Sequence, residues 1–493
     1  MNNIPEVRLA IIGVSRDCFP IVLSDTRRKA VVDALWKRGV DIIDVPFSVE
    51  NEKDAIEAVR YAEEKGANAL AVFLGNFGPE TPETLIASAF TGPVMFAAAA
   101  EESGDNLING RGDAYCGMLN CSYNLGLRKI PAYIPECPVG SADEVADMIL
   151  DFIPVARAIL GIRNLKIITF GPRPQDFFAC NAPIKALYDL GVEVEENSEL
   201  DLLVSYKAHK DDPRIADVAA DMAAELGVEG NTYPDLLPRM AQFEITLLDW
   251  MEAHKGARKY VAFADKCWPA FPEAFGFEPC YVNSRLASRG IPVSCEVDIY
   301  GALSEYIAAC LTSSPVTLLD INNTVPADMY KAEIEGKYRY KNNDLFMGFH
   351  CGNTPLSCLS CGAINFQIIQ NRLLENGGKP DFTRGTLEGD LKPGDITLLR
   401  LHSNADSTLE AYVAEGEVLP VKTRSFGGIG IIAIDEMARF YRHVLIAKHF
   451  PHHGAVAFSH IGRSLYSLFE YLGVKDVFFN RKSGDLYNGE CPF

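Results

Sequence analysis

What this chain of 493 residues lacks narrows its function before any motif is considered. No run of about 18 consecutive apolar residues occurs, so no membrane-spanning helix is expected. Positive charge is in deficit: 46 Lys and Arg face 66 Asp and Glu, a net charge of −20. That balance argues against a nucleic-acid partner, whose phosphates call for clustered cations. The N-terminal stretch MNNIPEVRLAIIGVSRD has no basic segment followed by a long apolar one, so no secretory leader is read and a cytoplasmic location is expected. Paired metal-knuckle cysteines are missing too. Among 13 cysteines one CxxC occurs, Cys358 and Cys361, with no second pair, so reduced thiols and packing roles are expected. Nucleotide fingerprints are absent: the first apolar run ends in GVSRDCFP rather than GxGxxG, and no GxxxxGK[ST] follows. Neither solenoid repeats nor low-complexity linkers are visible.

What is present is a large, ordinary globular composition, with 48% hydrophobic and 23% charged residues. The length exceeds what one core usually fills, so two to four domains are expected. The first hundred residues alternate apolar runs (VRLAIIGVS, VDIIDVP, ANALAVFLG, GPVMFAAAA) with amphipathic stretches, which predicts βαβ units and a parallel sheet. A second alternation begins near NLKIITFGPRPQDF. Beyond about residue 330 the runs shorten and alternate, as in GDITLLRLHSNADSTLEAYVAEGEVLP, predicting antiparallel strands. The expected fold is α/β: two N-terminal doubly wound, Rossmann-like α/β domains (residues 1–162 and 163–314), then an α+β or β-barrel-like domain (315–493). In doubly wound sheets ligands bind at the carboxyl edges of strands, so loops after strands are where a site is sought.

Four segments place metal-type ligands at the ends of apolar runs. They are IPVSCEVDIYGALSEYI with Glu296 and Asp298, PVTLLDINNT with Asp320, LFMGFHCGNTPLSC with His350, and HFPHHGAVAFSH with His452 and His453. The last holds four of the nine histidines in twelve residues. Taken singly each has a plain reading: a carboxylate at a helix start for Glu296, a turn cap for Asp320, a core imidazole for His350, surface histidines for the pair. Together they make a mixed O/N set suited to Mn²⁺, Co²⁺ or Mg²⁺ rather than to thiolate-loving metals. An ion beside carboxylates can polarise oxygens while the carboxylates move protons, which is the equipment for isomerising a hydroxy-carbonyl compound.

In this order and spacing, CEVDIYGALSEYI, LLDINNT, GFHCGNTPLSC and HHGAVAFSHIG resemble the L-fucose isomerase and L-arabinose isomerase superfamily. GVSRDCFP, LGNFGPETPETL, GRGDAYCGMLN, AEGEVLP and RSFGGIGIIAI add to the resemblance, which covers nearly the whole chain. It implies a Mn²⁺-dependent aldose–ketose isomerase (Co²⁺ or Mg²⁺ being the other candidate ions) that acts on an open-chain monosaccharide. The route implied is a cis-enediol with Glu296 and Asp320 as the acid/base pair, a hydride shift being the rival. It further implies Glu296, Asp320 and His453 as metal ligands, and His350 as a fourth by analogy with the arabinose enzymes. A homo-oligomer, trimer or hexamer, with sites near subunit interfaces is implied as well. Arg16 resembles a substrate-contacting arginine from a neighbouring subunit; Asn353 and His452 are further substrate-contact candidates, and Asp298 a candidate to orient a ligand.

Two departures bear on the sugar. His452 stands where fucose isomerases have asparagine, and LGNFGPET lacks their tryptophan. An anionic hexose such as sulfoquinovose is therefore an alternative, with Arg16, Arg285, Arg289 and Arg424 available as cations. A non-catalytic sugar-binding homologue is another. His449 and His460 are expected to be structural, and Glu415 and Glu417 to be strand-face carboxylates.

Overall fold

The computed structural model describes residues 2–108, 110–369 and 383–492. It is a mixed α/β protein with parallel sheets and one large mixed sheet. The chain forms two compact units, one of Pro5–Leu160 with Ser467–Gly473 and the other of Met1–Ile4, Gly161–Tyr466 and Val474–Phe493.

The smaller unit is built on five parallel strands, β1 (Leu9–Val14), β2 (Ile43–Asp44), β3 (Ala69–Leu74), β4 (Val94–Ala99) and β5 (Val139–Gly140), in the order β2-β1-β3-β4-β5. LAIIGV, ALAVFL and VMFAAA are buried at every position, because helices cover both faces of a parallel sheet. The helix Glu52–Glu64 starts where the Asn51 side chain accepts from the backbone N–H groups of Lys53 and Asp54. It ends before Gly66, whose φ of +84° suits the turn into β3.

The larger unit holds two sheets. Four parallel strands, β6 (Leu165–Phe170), β7 (Glu193–Asn197), β8 (Tyr260–Ala264) and β9 (Val293–Ser294), run in the order β7-β6-β8-β9. The mixed sheet has nine strands: β10 (Val316–Asn323), β11 (Leu345–His350), β12 (Ala363–Phe366), β13 (Arg384–Asp390), β14 (Gly394–Ser403), β15 (Leu409–Leu419), β16 (Gly428–Ala433), β17 (His453–Ala457) and β18 (Asp476–Phe479). Their order is β12-β13-β16-β11-β10-β17-β14-β15-β18, and a further antiparallel pairing of β15 with β16 closes six of them into a ring. Closure removes the unpaired edges that short antiparallel strands would otherwise expose.

The helix Ile299–Thr312 joins these sheets. IYGALSEYIAACL is buried at every position, and the helix packs against β6, β8, β9, β10, β14 and β17. A mostly apolar helix buried on all sides, Ser304 and Glu305 included, has no solvent face, which this position between a parallel sheet and a ring satisfies. Its N-terminus is capped by Asp298, which accepts from Gly301 N–H at 2.9 Å.

Candidate functional site

Register brings the first two residues of the site together. β10 pairs antiparallel with β17, and Asp320 stands directly opposite His453, so both side chains leave the same face. Ile321 N–H donates to His452 O at 2.8 Å, holding the ends of the strands together. On the other side of β10 the register against β11 shifts between Ile321 and Asn323, a bulge beside Asp320.

Glu296 arrives from the other sheet, immediately after β9. It and Val297 both have φ of +56°, in the left-handed region that residues with a Cβ avoid. Such residues cost on the order of 1–3 kcal/mol each and persist where their surroundings fix them. Here Val297 N–H donates to Asp265 O at 2.8 Å and Asp298 N–H to Cys295 O at 3.1 Å. The strained turn aims Glu296 at the ends of β10 and β17.

His453 is fully buried, and its two ring nitrogens have different surroundings. Nδ1 lies 2.9 Å from Asp298 Oδ2, and Asp298 is itself gripped by Arg400, with Nη1 to Oδ2 at 2.8 Å and Nη2 to Oδ1 at 2.9 Å. An ionised Asp298 can only accept, so Nδ1 carries the proton and Nε2 presents its lone pair in the neutral ring. Nε2 is 3.0 Å from Glu296 Oε2 and 3.3 Å from Asp320 Oδ1. Neither approach has hydrogen-bond geometry, and Nε2 and Asp320 Oδ1 are buried without a hydrogen-bond partner.

Two carboxylate oxygens crowding one imidazole nitrogen persist only around positive charge, whether a proton on Nε2 or a metal ion. Burial opposes charge on His453, yet the carboxylates of Asp298, Asp320 and Glu296 outweigh it and hold the ring well above the usual histidine range. Burial likewise opposes ionisation of Asp320, but His453 and His350 bring it down to about 2. Glu296 is lowered in the same sense against its burial. The donor set fits a divalent ion: cis ligands at about 2.1 Å from an octahedral ion sit roughly 3.0 Å apart, close to the spacings here. Glu296, His453 and Cys180 form one group able to hold an ion, and Asp320, His452 and His453 a second that shares the same histidine.

Asp320, Glu296, His350 and His452 line a cavity of about 710 Å³. Gln175, Asn322 and Gln367 add amides to its wall, Phe177, Trp268 and Phe349 add rings, and Cys267, Cys295 and Cys351 add thiols. Such a mainly apolar wall with a few convergent polar groups is the usual make-up of a small-molecule site. His350 is placed differently from His453. Its Nδ1 accepts from Cys351 N–H at 2.9 Å, so the neutral ring carries its proton on Nε2 and is a donor there. Burial lowers its pKa and keeps the ring neutral. His452 is lowered by burial and by the neighbouring His453, its Nε2 lying 3.7 Å from Asp320 Oδ1.

Other expected residues lie elsewhere. Asn353 is buried with its Oδ1 unpartnered and is not part of the cavity wall. Arg16 belongs to the smaller unit, where Nε donates to Gly78 O at 2.9 Å and the guanidinium lies 4.8 Å from the centre of the Phe77 ring. All four arginines considered for an anionic sugar lie beside carboxylates: Arg16 with Glu80 at 3.6 Å, Arg285 and Arg289 with Glu244, Arg424 with Glu333. Glu415 accepts from Gly462 N–H, and His460 meets Gly416 O at 3.0 Å. Among the described residues, which include all 13 cysteines, no disulfide forms.

Trp268, Gln175, Cys180 and Arg400 were not anticipated from the sequence. Arg400 left a signal, a lone charge inside the apolar run ITLLRLHS, which calls for a buried partner. Trp268 and Gln175 follow β8 and β6 at the carboxyl edge, which names their neighbourhood but not their aim.

Residues 10–163 match the fucose/sulfoquinovose isomerase N-terminal domain, and residues 348–478 match the L-fucose isomerase C-terminal domain. The chain belongs to the fucose isomerase-like family. Sulfoquinovose isomerase of Priestia aryabhattai is 28% identical to this family member over 289 residues, 57% of this chain and 58% of the relative. That of Alkalicoccus urumqiensis is 25% identical over 334 residues, 66% of this chain and 68% of the relative. That of Clostridium sp. (strain MSTE9) is 26% identical over 304 residues, 61% of each chain. The match to this fucose isomerase-like chain thus spans under two thirds of the Priestia protein. Among its described residues no helix is long and apolar enough to cross a membrane.

Proposed function

We propose that this chain is a divalent-ion-dependent aldose–ketose isomerase. The observation that carries the reading is the approach of Glu296 Oε2 and Asp320 Oδ1 to the unpartnered His453 Nε2 beside a cavity of sugar-binding size. A Mn²⁺, Co²⁺ or Mg²⁺ ion held by Glu296, Asp320 and His453 supplies Lewis-acid polarisation of the carbonyl and adjacent hydroxyl of an open-chain sugar. The protein's own groups do the rest. Asp298, locked by Arg400, fixes the tautomer that turns His453 Nε2 toward the carboxylates. One of Glu296 and Asp320, both held ionised, takes the C2 proton, and the pair shuttles protons among C1, O1 and O2 through a cis-enediol. His350 Nε2–H donates to a sugar oxygen in this reading rather than ligating the ion. Gln175, Asn322 and Gln367 hold hydroxyls, and His452 sits beside Asp320 as a further contact.

Sulfoquinovose is the first substrate to try, since the curated relatives carry that name. L-Fucose, D-arabinose and L-arabinose complete the panel. Assembly as a trimer or hexamer, with Arg16 of a neighbouring copy reaching the sugar, belongs to the same proposal. The deciding experiment assays this panel with Mn²⁺ before and after thorough chelation. Turnover lost on chelation and restored by the ion is expected, and undiminished activity without metal would overturn the reading. Glu296→Gln separates an isomerase from a sugar binder: binding persists and turnover disappears. Full retention of C1 and C2 deuterium during turnover in water would replace the enediol with a hydride shift.

A further inference from the structure

We propose that Trp268 is a positioning residue that divides the Glu296 carboxylate between two tasks, leaving Oε2 to the ion and holding Oε1 as the proton-transfer atom. The inference rests on the isomerase reading for the second task alone. The two oxygens have different neighbours: Oε2 faces His453 Nε2 at 3.0 Å, whereas Oε1 accepts from the Trp268 indole Nε1–H at 3.3 Å. A carboxylate that closes on an ion through both oxygens has no free basic atom. A donor fixed on Oε1 opposes that closure and keeps this oxygen turned into the cavity that Trp268 itself lines.

The arrangement is built, not incidental. The backbone is left-handed at Glu296, so the side chain leaves the chain in a direction that an extended residue would not give. The loops bearing the two residues are stitched together: Asp265 N–H donates to Ser294 O at 3.0 Å, and Val297 N–H to Asp265 O at 2.8 Å. Phe177 stands edge-on to the indole, with ring centres 5.9 Å apart and planes at 85°. An indole N–H donates and never accepts, so Trp268 orients the base without competing for the proton. Glutamine or asparagine there would present an oxygen as well.

The test replaces the indole by 3-benzothienylalanine, which keeps the ring shape and removes the N–H, in a Trp36→Phe/Trp250→Phe background so that only position 268 changes. Trp268→Phe is the genetic counterpart, and three readouts decide. Mn²⁺ affinity by calorimetry is expected within about threefold of the parent, while kcat falls roughly 10–50-fold at nearly constant KM. In the metal-free, ¹⁵N-tryptophan-labelled protein, the Trp268 indole resonance is expected to shift in Glu296→Gln and to stay in place in Trp36→Phe. Parent-like kcat without the N–H, ion affinity falling in step with kcat, or an indole resonance indifferent to Glu296 would each overturn the assignment. A parent that isomerises none of the sugars refutes the isomerase reading instead, and the resonance and Mn²⁺ arms still decide whether the indole holds Oε1 away from the ion.

Discussion

Asp298→Asn is the perturbation that reaches furthest into the site, because one carboxylate serves both Arg400 and His453. Its side chain is 1% exposed, as is that of Arg400, and it accepts both guanidinium bonds and the His453 Nδ1–H. The amide keeps the shape and removes the charge, leaving the Arg400 guanidinium buried without a counterion. Breaking one side of a buried ion pair costs about 3–5 kcal/mol, and that loss is expected in urea unfolding at pH 7 followed by circular dichroism. The amide also loosens the lock on the imidazole tautomer, for which a 10–100-fold weaker Mn²⁺ affinity by calorimetry is the typical consequence. Asp298→Asn/Arg400→Met removes both charges and should recover about half the stability or more, since an apolar replacement of a whole buried pair is often near neutral. The ion affinity should stay low in the double variant, because the tautomer lock is still absent. Burial alone would raise the Asp298 pKa, but Arg400 and His453 hold it far below the carboxylate range. With the folded pKa depressed, the stabilisation is present above the unfolded value of about 3.9 and is lost as pH falls below it. The variant should therefore converge on the parent only in acid. A loss under about 1 kcal/mol at pH 7 with parent-like Mn²⁺ affinity would refute the account of Asp298 as the anchor of the site.

His350→Asn should leave Mn²⁺ affinity within about threefold and lower kcat roughly 10–100-fold, because the lost group is an Nε2–H donor; a large loss of ion affinity would make it a ligand. Glu83, buried in the smaller unit, has its pKa pushed up to about 8, chiefly by burial. Its folded pKa lies above the unfolded value of about 4.3, so stability is greatest below that pH and declines as pH rises toward 8, by up to about 1.4 kcal/mol per unit. Glu83→Gln should flatten this decline in urea midpoints measured from pH 5 to 8, and an unchanged slope would show that the carboxyl is ionised in the fold. Arg16→Gln should raise KM for the sugar more than it lowers kcat if a neighbouring copy delivers Arg16, and parent-like kinetics would remove it from the site.

The alternation of buried runs made both parallel sheets legible, because a strand covered on two faces reads as continuous Val, Ile, Leu and Ala whatever surrounds it. The turn-rich texture after residue 330 announced antiparallel strands. That β15 also pairs with β16, closing a ring, is a long-range event with no local mark. At the site, Glu296, Asp298, Asp320, His350, His452 and His453 could be marked because they stand as metal-type residues at the ends of apolar runs, and the choice of Glu296, Asp320 and His453 as a ligand set came from the family resemblance. The difference between His350 and His453 could not. It depends on which ring nitrogen meets a backbone N–H and which meets a carboxylate, and composition carries no trace of that. Trp268 stayed hidden for a related reason: a tryptophan after a strand reads as core until the position of its N–H is known.

On the proposed reading, the in-register pairing of Asp320 with His453 would make ion binding a gauge of folding accuracy. In an antiparallel ladder a slip of one residue turns a side chain to the opposite face, so β17 misaligned by one position on β10 would point His453 away from Asp320 and Glu296. Such a molecule could keep nearly all of its strand content and most of its buried surface, and spectroscopy of secondary structure would count it as folded. If Glu296, Asp320 and His453 hold the ion as proposed, the fraction of chains that bind Mn²⁺ stoichiometrically is expected to measure correct register at the centre of the ring, a property that bulk measures of foldedness pass over.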